Sequence, residues 1–585
     1  MRVILCTPTA APPKWRVDLH PDILPVGEDG IVRKFGARRH YCFSSIRYRE
    51  EAARITGEVA GRYGRNPYIH AWQTDNEYGD QDTIHSYSPE AERAFRLWLQ
   101  ARYTTIEALN DAWGTSFWSM TYSGFDQIDL PNNLVEEPSP THRVDYLRFS
   151  SDQVKSFNKL QVDIIRALSP GRPVTHNYMN QNTDFDHYAV GDDLDIASWD
   201  AYPLGGLLNG RLPQADKARY LRVGDPDQTA FNHDLYRAVG RGRMWVMEHQ
   251  PGPVNWATNN PAPADGMVRL WTWLAYAHGC KMVSYFRWRQ APYAQEQFHT
   301  ALLHPDSTPD QAHREIGQMV AEAANLPPTG LRAKARVAFV LDYPSRWATL
   351  TLPQGQNYRA DNIALDWYSA TARLGVDVDV IGQHSDLSGY DLIIAPDLVI
   401  ADAEFAERLA ACHAKVLFGP RSGSKTAAMQ TPANLAPGML QKLMNMKVTR
   451  VESLPDFHAE TILCGNVPLA AHRWRETVET EETVLGTFTG DYRPGTPALI
   501  GNDRARYLAT LPTPEALRVA IAETLVWAGI EPLPDLGDLR VAGRGGLTFA
   551  FNFGHTTAEV LAGPSARFHV GTRSLPPVGV AIWAD

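Results

Sequence analysis

The sequence predicts an α/β protein built first on a parallel sheet, either a barrel or a doubly wound sheet, and three observations carry that prediction. Short apolar runs of strand length alternate with longer stretches of helical period from Arg2 to about Leu326. Polar and aromatic clusters follow the strand candidates at once, as in PTAAPP, TDNEYG, HNYMN, WDAYP, EHQPGPVNW and RWRQ. Parallel sheets place their sites at the carboxyl ends of strands, and the repeated clusters favour a barrel with one shared mouth. The chain also has 585 residues, far more than one core of about 100 to 200 residues serves, so further domains follow.

Taken in order, the strand candidates of residues 1–330 are Val3 to Cys6, Tyr68 to Gln73, Pro173 to Asn177, Leu194 to Ser198, Met244 to Met247 and Met282 to Phe286. Helical patterns between them run over Tyr48 to Tyr63, Pro89 to Tyr103, Val144 to Leu168 and Met267 to His278. A second, smaller α/β unit, 331–534, opens with VAFVLDYPS. It continues through a helix around Ile363 to Leu374 and strands at Asp377 to Ile381, Leu392 to Ala395 and Ala414 to Phe418. Residues 535–585 hold LRVAG, LTFAFNF, ARFHV and GVAIWA between Gly, Pro and Ser, the pattern of a small antiparallel β domain.

Composition excludes several partners. A net charge of −10 argues against gripping phosphates, so nucleic acid is set aside. The apolar runs fall far short of the roughly 20 residues a membrane span requires, so no membrane partner is expected. MRVILC is too short for the core of a secretory signal and reads as a buried strand. Five scattered cysteines, Cys6, Cys42, Cys280, Cys412 and Cys464, suit reduced thiols in a cytoplasm better than a disulfide framework.

Two acids stand out. Glu77 in TDNEYG and Glu248 in WVMEHQPGP each end a strand candidate and precede turn residues, so both face the mouth of one barrel. Cleaving an acetal near neutral pH needs one carboxyl kept protonated for the leaving oxygen and one ionised to attack or to steer water. For any Glu taken singly a surface or capping role is the better reading, and the matched placement of these two is what shifts it.

Several long motifs, in order, resemble the β-galactosidases of glycoside hydrolase family 42: TPTAAPPKW (7–15), LPVGEDG (24–30), RRHYC (38–42), NEYG (76–79), FSSDQV (149–154), WDAYP (199–203), MEHQPGPVNW (247–256) and DNIALDWYSATARLG (361–375). The resemblance implies a (β/α)8 TIM-type barrel, a flavodoxin-like domain that mediates homotrimer formation, and a small β domain. It also implies retaining hydrolysis of a galactoside without a cofactor. Glu77 is then the acid/base, with the higher pKa of the pair, and Glu248 the nucleophile, their carboxyls about 5 to 5.5 Å apart.

The resemblance further implies that Asn76 donates to the sugar 2-hydroxyl and Arg38 holds sugar hydroxyls. Glu296 and His299 hold the 4- and 6-hydroxyls, Trp118 and Trp256 wall the ring, and Tyr202 hydrogen-bonds the nucleophile. Read as residues alone, Trp118 suits a core as well, and His299 leans on Glu296 one turn earlier on the same helix face. One of the neighbours Arg38 and Arg39 is expected to be a surface charge. Asp75, sharing strand parity with Glu77, is expected to be supporting structure.

The chain departs from the family's pattern in two places. A four-cysteine zinc site is common there; here Cys42 is kept while Ser86, Ser88 and Ala91 stand at the other positions, so no metal is expected. Six strand candidates precede the second unit where the family has eight, which implies that about sixty residues of its barrel, two β/α units, are missing. Because an open barrel exposes strand edges, Met1 is expected to be an internal start. The second unit's outline also resembles class I glutamine amidotransferase domains, but RSGSK after VLFGP puts no cysteine at the nucleophile turn, so assembly is the expected role. Alternatives to β-galactosidase are an α-L-arabinopyranosidase or β-D-fucosidase with the same machinery, or a sugar-binding subunit without turnover.

Overall fold

Six parallel strands line up in chain order in the computed structural model, which describes residues 1–180 and 182–585. They are β1 (Val3–Cys6), β2 (Ile69–Gln73), β3 (Val174–Met179), β4 (Ile196–Ala201), β5 (Met244–His249) and β6 (Val283–Tyr285). A doubly wound sheet reverses its order at a switch point, whereas stepwise order is the winding of a barrel wall, so the barrel reading holds. Among the described residues β1 and β6 are its two edges. The register pairs Cys6 with Gln73, Met179 with Asp200 and His249 with Tyr285, which levels the carboxyl ends on one rim.

The helices that back this sheet follow their apolar stripes. Ile46–Tyr63 buries Tyr48, Ala52, Thr56 and Ala60, one residue every turn, and packs on the long helix Pro140–Leu168. That second helix starts before the predicted Val144 because Pro140 sits in its first turn, where the lost N–H costs nothing. Strands β3 to β5 run two or three residues past their predicted ends, so Asp200 and Glu248 are fixed in the ladder itself.

The second sheet is larger than its predicted α/β outline. Its parallel part, β7 (Val337–Val340), β8 (Val378–Ile381), β9 (Leu392–Ala395) and β10 (Lys415–Phe418), lies where the sequence puts it, with the helix at Ala360–Ala372. An antiparallel extension between Met446 and Pro512 was missed; it includes the strand Val467–Thr480. Its buried positions carry charge: Arg475 meets Glu460 at 3.0 Å, both 5% exposed or less, so the pattern reads as surface. After β10 the turn keeps an elbow with Arg421 in left-handed backbone, φ 64°, and its guanidinium lies over Tyr358 and Trp474.

The last sheet is antiparallel, in the order Leu539–Arg544, Leu547–Asn552, Val580–Ala584, Arg567–Val570. Gly545 and Gly546, at φ 60° and 80°, form the two-residue turn that its first hairpin demands. Arg540 of this sheet bonds Asp227 of the first unit through two nitrogens, at 2.5 and 2.7 Å, and Ser369 of the second unit donates to the same carboxylate.

Candidate active site

β2 ends at Gln73, and the chain then turns sharply, with Asp75, Glu77 and Gly79 all in left-handed backbone at φ 48°, 44° and 91°. The turn, and not strand parity, aims Glu77 inward. Asp75 anchors it from below: its Oδ2 accepts from Thr9 at 2.5 Å and Tyr41 at 3.0 Å, and its Oδ1 from the Asn76 N–H at 2.8 Å. Asp75 thus has the supporting role expected of it, for a different geometric reason. On β3, Asn177 accepts from the Glu77 N–H at 3.1 Å and donates to Asn76 at 3.0 Å and to Asp200 at 2.8 Å.

Glu77 Oε2 is met by Arg38 at 3.0 Å, Arg39 at 3.4 Å and Asn76 at 3.0 Å. Both arginines therefore converge on the site. Arg39, expected as the possible surface charge, is the more buried, held in place by left-handed backbone at φ 62°. Asp80 shares the two guanidinium groups, at 3.0 and 3.7 Å.

Glu248 reaches the same space from β5. Its Oε2 accepts from the Tyr202 hydroxyl at 2.6 Å, as the sequence reading expects. An oxygen of each of Glu77, Asp200 and Glu248 lies within 4.8 Å of the others. Burial, and then the charge of Glu77, push the Glu248 carboxyl up to about 8. The resemblance expects the higher pKa on Glu77, whereas burial raises that of Glu248. Three donors meet on Glu77 Oε2, while Glu248 Oε2 accepts from the Tyr202 hydroxyl.

Aromatic groups wall the Glu248 side. Trp256 meets the Tyr202 ring edge-on at 5.6 Å, and His299 packs between Tyr202 at 5.6 Å and Phe286 at 5.2 Å. Burial lowers the His299 pKa, and its Nε2 is buried without a hydrogen-bond partner among the described residues. Glu296 and His299 do not share a helix face: they sit in a turn closed by the His299 N–H on the Glu296 carbonyl at 3.0 Å, and Glu296 pairs with Arg287. Trp118 is not gathered with the others. It is 73% exposed in left-handed backbone, with Phe117 as its aromatic neighbour.

The two serines compared above with zinc ligands make structural hydrogen bonds. Ser88 reaches Cys42 Sγ at 3.4 Å and caps the helix Pro89–Tyr103, while Ser86 accepts from the Val26 N–H. One thiol with hydroxyls already spent on backbone is a poor donor set for zinc. Sequence reasoning missed Arg39, Asn177 and Asp200 as parts of the site. The signals were there, in RRHYC, HNYMN and WDAYP, each at a strand's end or beside a named residue.

Comparison with known proteins gives three consecutive matches to one family. Residues 1–326 match the β-galactosidase domain of glycoside hydrolase family 42, 335–531 the β-galactosidase trimerisation domain and 538–584 the β-galactosidase C-terminal domain. A β-galactosidase of Thermus thermophilus is 50% identical over 589 aligned residues, covering 100% of this chain and 90% of that protein. The crystal structure of β-galactosidase from the psychrophilic Marinomonas ef1 superposes with a TM-score of 0.97 at 45% identity, over 100% of this chain and 90% of that one. The β-galactosidase of the Antarctic haloarchaeon Halorubrum lacusprofundi follows at 0.94 and 37%, covering 100% and 89%. With a parallel sheet in barrel order, a carboxyl pair on its rim and family matches along nearly the whole chain, this protein belongs to the β-galactosidases of glycoside hydrolase family 42.

Proposed function

We propose that the protein hydrolyses terminal non-reducing β-D-galactosyl residues by double displacement, with Glu77 as acid/base and Glu248 as nucleophile. The observation that carries this reading is that an oxygen of Glu77 and one of Glu248 lie within 4.8 Å of each other on one rim, the close placement a retaining pair needs. An inverting enzyme leaves about 6.5 to 9.5 Å for a water, whereas direct attack needs about 5 to 5.5 Å. A galactosyl ring bound against Trp256 and His299 engages Arg38 and Asn76 with its hydroxyls and draws their charge and donors away from Glu77. In the complex Glu77 holds the proton and Glu248 is a carboxylate braced by Tyr202. Glu77 gives its proton to the leaving oxygen as Glu248 bonds to the anomeric carbon; afterwards Glu77 takes a proton from the water that releases galactose.

Two substitutions test the roles. Glu77→Gln should cost about 10² to 10⁴ in turnover of a galactoside with a poor leaving group and far less with an activated one. Glu248→Gln should cost on the order of 10⁴ or more with both, and should abolish covalent labelling by an activated 2-fluorogalactoside. Near wild-type turnover in either variant sinks the assignment. Arabinopyranosides and fucosides, which lack the 6-hydroxyl, should be slower if Glu296 and His299 bind that group. The trimerisation domain supports a homotrimer, to be checked by light scattering for three times 65.2 kDa. No helix among the described residues is long and apolar enough to cross a membrane, and a cytoplasmic location is proposed, with residues 331–534 as the assembly domain.

A further inference from the structure

We propose that Asp200 is held as a neutral carboxylic acid whose O–H donates to Glu77, making it a positioning residue for the acid/base; this rests on the role given to Glu77 above. Asp200 is 2% exposed near the end of β4. Its Oδ2 accepts from Asn177 at 2.8 Å, but its Oδ1, equally buried, has no donor among the described residues. What faces it is acid. Glu77 comes from the turn after β2, Glu248 from β5, Tyr202 from the end of its own strand and Tyr236 from the helix Pro226–Val239. The guanidinium groups of Arg38 and Arg39 are spent on Glu77 and Asp80.

Three carboxylates in one water-poor pocket cannot all carry charge, and Asp200, with neither a cation nor a full set of donors, is placed to keep a proton. Burial, and then Glu248 and Glu77, hold Asp200 well above the usual carboxylate range. Protonation also resolves the orphaned Oδ1, turning an unmet acceptor into a donor. Its natural acceptor is Glu77. Glu248 Oε2 is already served by Tyr202, and Asn177 clamps Asp200 and the Glu77 backbone together with its two side-chain atoms. In the reaction the Glu77 proton goes to the leaving oxygen and returns from water, while the Asp200 proton stays on Asp200 and steadies the Glu77 carboxylate between the two steps.

The sign of a pH shift tests this. Asp200→Ala removes a donor to the Glu77 carboxylate, so the basic limb of kcat/KM should move up by about one unit and kcat should fall about tenfold. Asp200→Asn keeps a donor without charge and should restore most of that loss with the limb in its wild-type place. If Asp200 is ionised, both variants remove a negative charge and the limb moves down, which overturns the proposal; so does a loss of rate with no movement of either limb. If Asp200→Ala does not fold, Asp200→Ser takes its place. Infrared spectra of the wild type and Asp200→Asn at neutral pH give an independent reading: a protonated-carboxyl band lost in the variant is expected, and identical spectra refute it. Glu77→Gln is run alongside, since wild-type turnover there means the role of Glu77 fails, while the infrared comparison still judges the proton on Asp200.

Discussion

At Glu248 the burial that raises the carboxyl also weakens the fold. Its carboxyl is raised to about 8 by burial and by Glu77, whereas in the unfolded chain it titrates near an ordinary Glu, about 4.3. Between those two values the unfolded state is ionised while the folded state holds its proton, so the penalty is absent at low pH and grows as pH rises. Glu248→Gln removes it. We expect the variant to melt about 1 to 3 °C above the wild type near pH 8, with a smaller gain or none near pH 5. Equal gains at both pH values would show that packing, and not charge, is responsible. Labelling by an activated 2-fluorogalactoside, which needs the Glu248 carboxylate, should likewise rise with pH well past the ordinary range of a glutamate. At this scale the sequence was informative about which side chains matter and silent about their protonation. Glu77 and Glu248 were singled out from placement, but the burial that raises Glu248 and the arginines that reach Glu77 come from elements distant in the chain.

The element that matters most is the turn after β2. Three residues in left-handed backbone within five positions let Asp75 point into the core and Glu77 into the pocket. Gly79 sits at φ 91°, backbone that strains any other residue, and an added Cβ 2.4 Å from the Asn182 amide nitrogen would also push that side chain off its bond to the Gly79 carbonyl. Gly79→Ala should therefore cost about 1 to 3 kcal/mol and should lower kcat more than tenfold by displacing Glu77, measured by denaturation and by steady-state rates on one preparation. Full activity in a destabilised variant would show that the turn does not set the carboxyl. Elsewhere the elements divide by how plainly their environment shows in their residues. β1 and the helix Pro89–Tyr103 have the bounds their apolar pattern and cap predict. The turn carrying Glu296 and His299 reads as a helix because their i, i+3 spacing fits one, and the extension was missed because its strands bury charge, as where Arg475 meets Glu460 on the neighbouring strand.

Across the whole molecule the three sheets are joined by ion pairs withdrawn from water. Asp227 takes two bonds from Arg540 and one from Ser369, so one carboxylate ties all three units. Nearby, burial opposes the charge of Asp234, yet Arg237, His278 and Arg332 outweigh it and keep the carboxyl well below its usual range. Arg540→Ala leaves Asp227 buried and unpaired and should destabilise the protein by about 3 to 5 kcal/mol. Asp227→Asn combined with Arg540→Met should cost much less, since no charge is stranded. Limited proteolysis between residues 531 and 538, the gap between two family matches, should detect the loosened junction in the single variant. If single and double variants melt alike, the pair holds nothing together by charge.

The approximate places of the six parallel strands and of the helices between them, and the two acids at strand ends, were legible in the sequence alone, because apolar period, turn residues and clusters at strand ends are local signals. The tertiary structure decided the rest. It brought Arg39, Asn177 and Asp200 to Glu77, left Trp118 exposed, and buried Glu248 so that its carboxyl is raised. Those outcomes depend on distances of a few ångströms between groups up to about 170 residues apart, and on the water excluded between them, where Coulomb forces are strong enough to decide which group is charged.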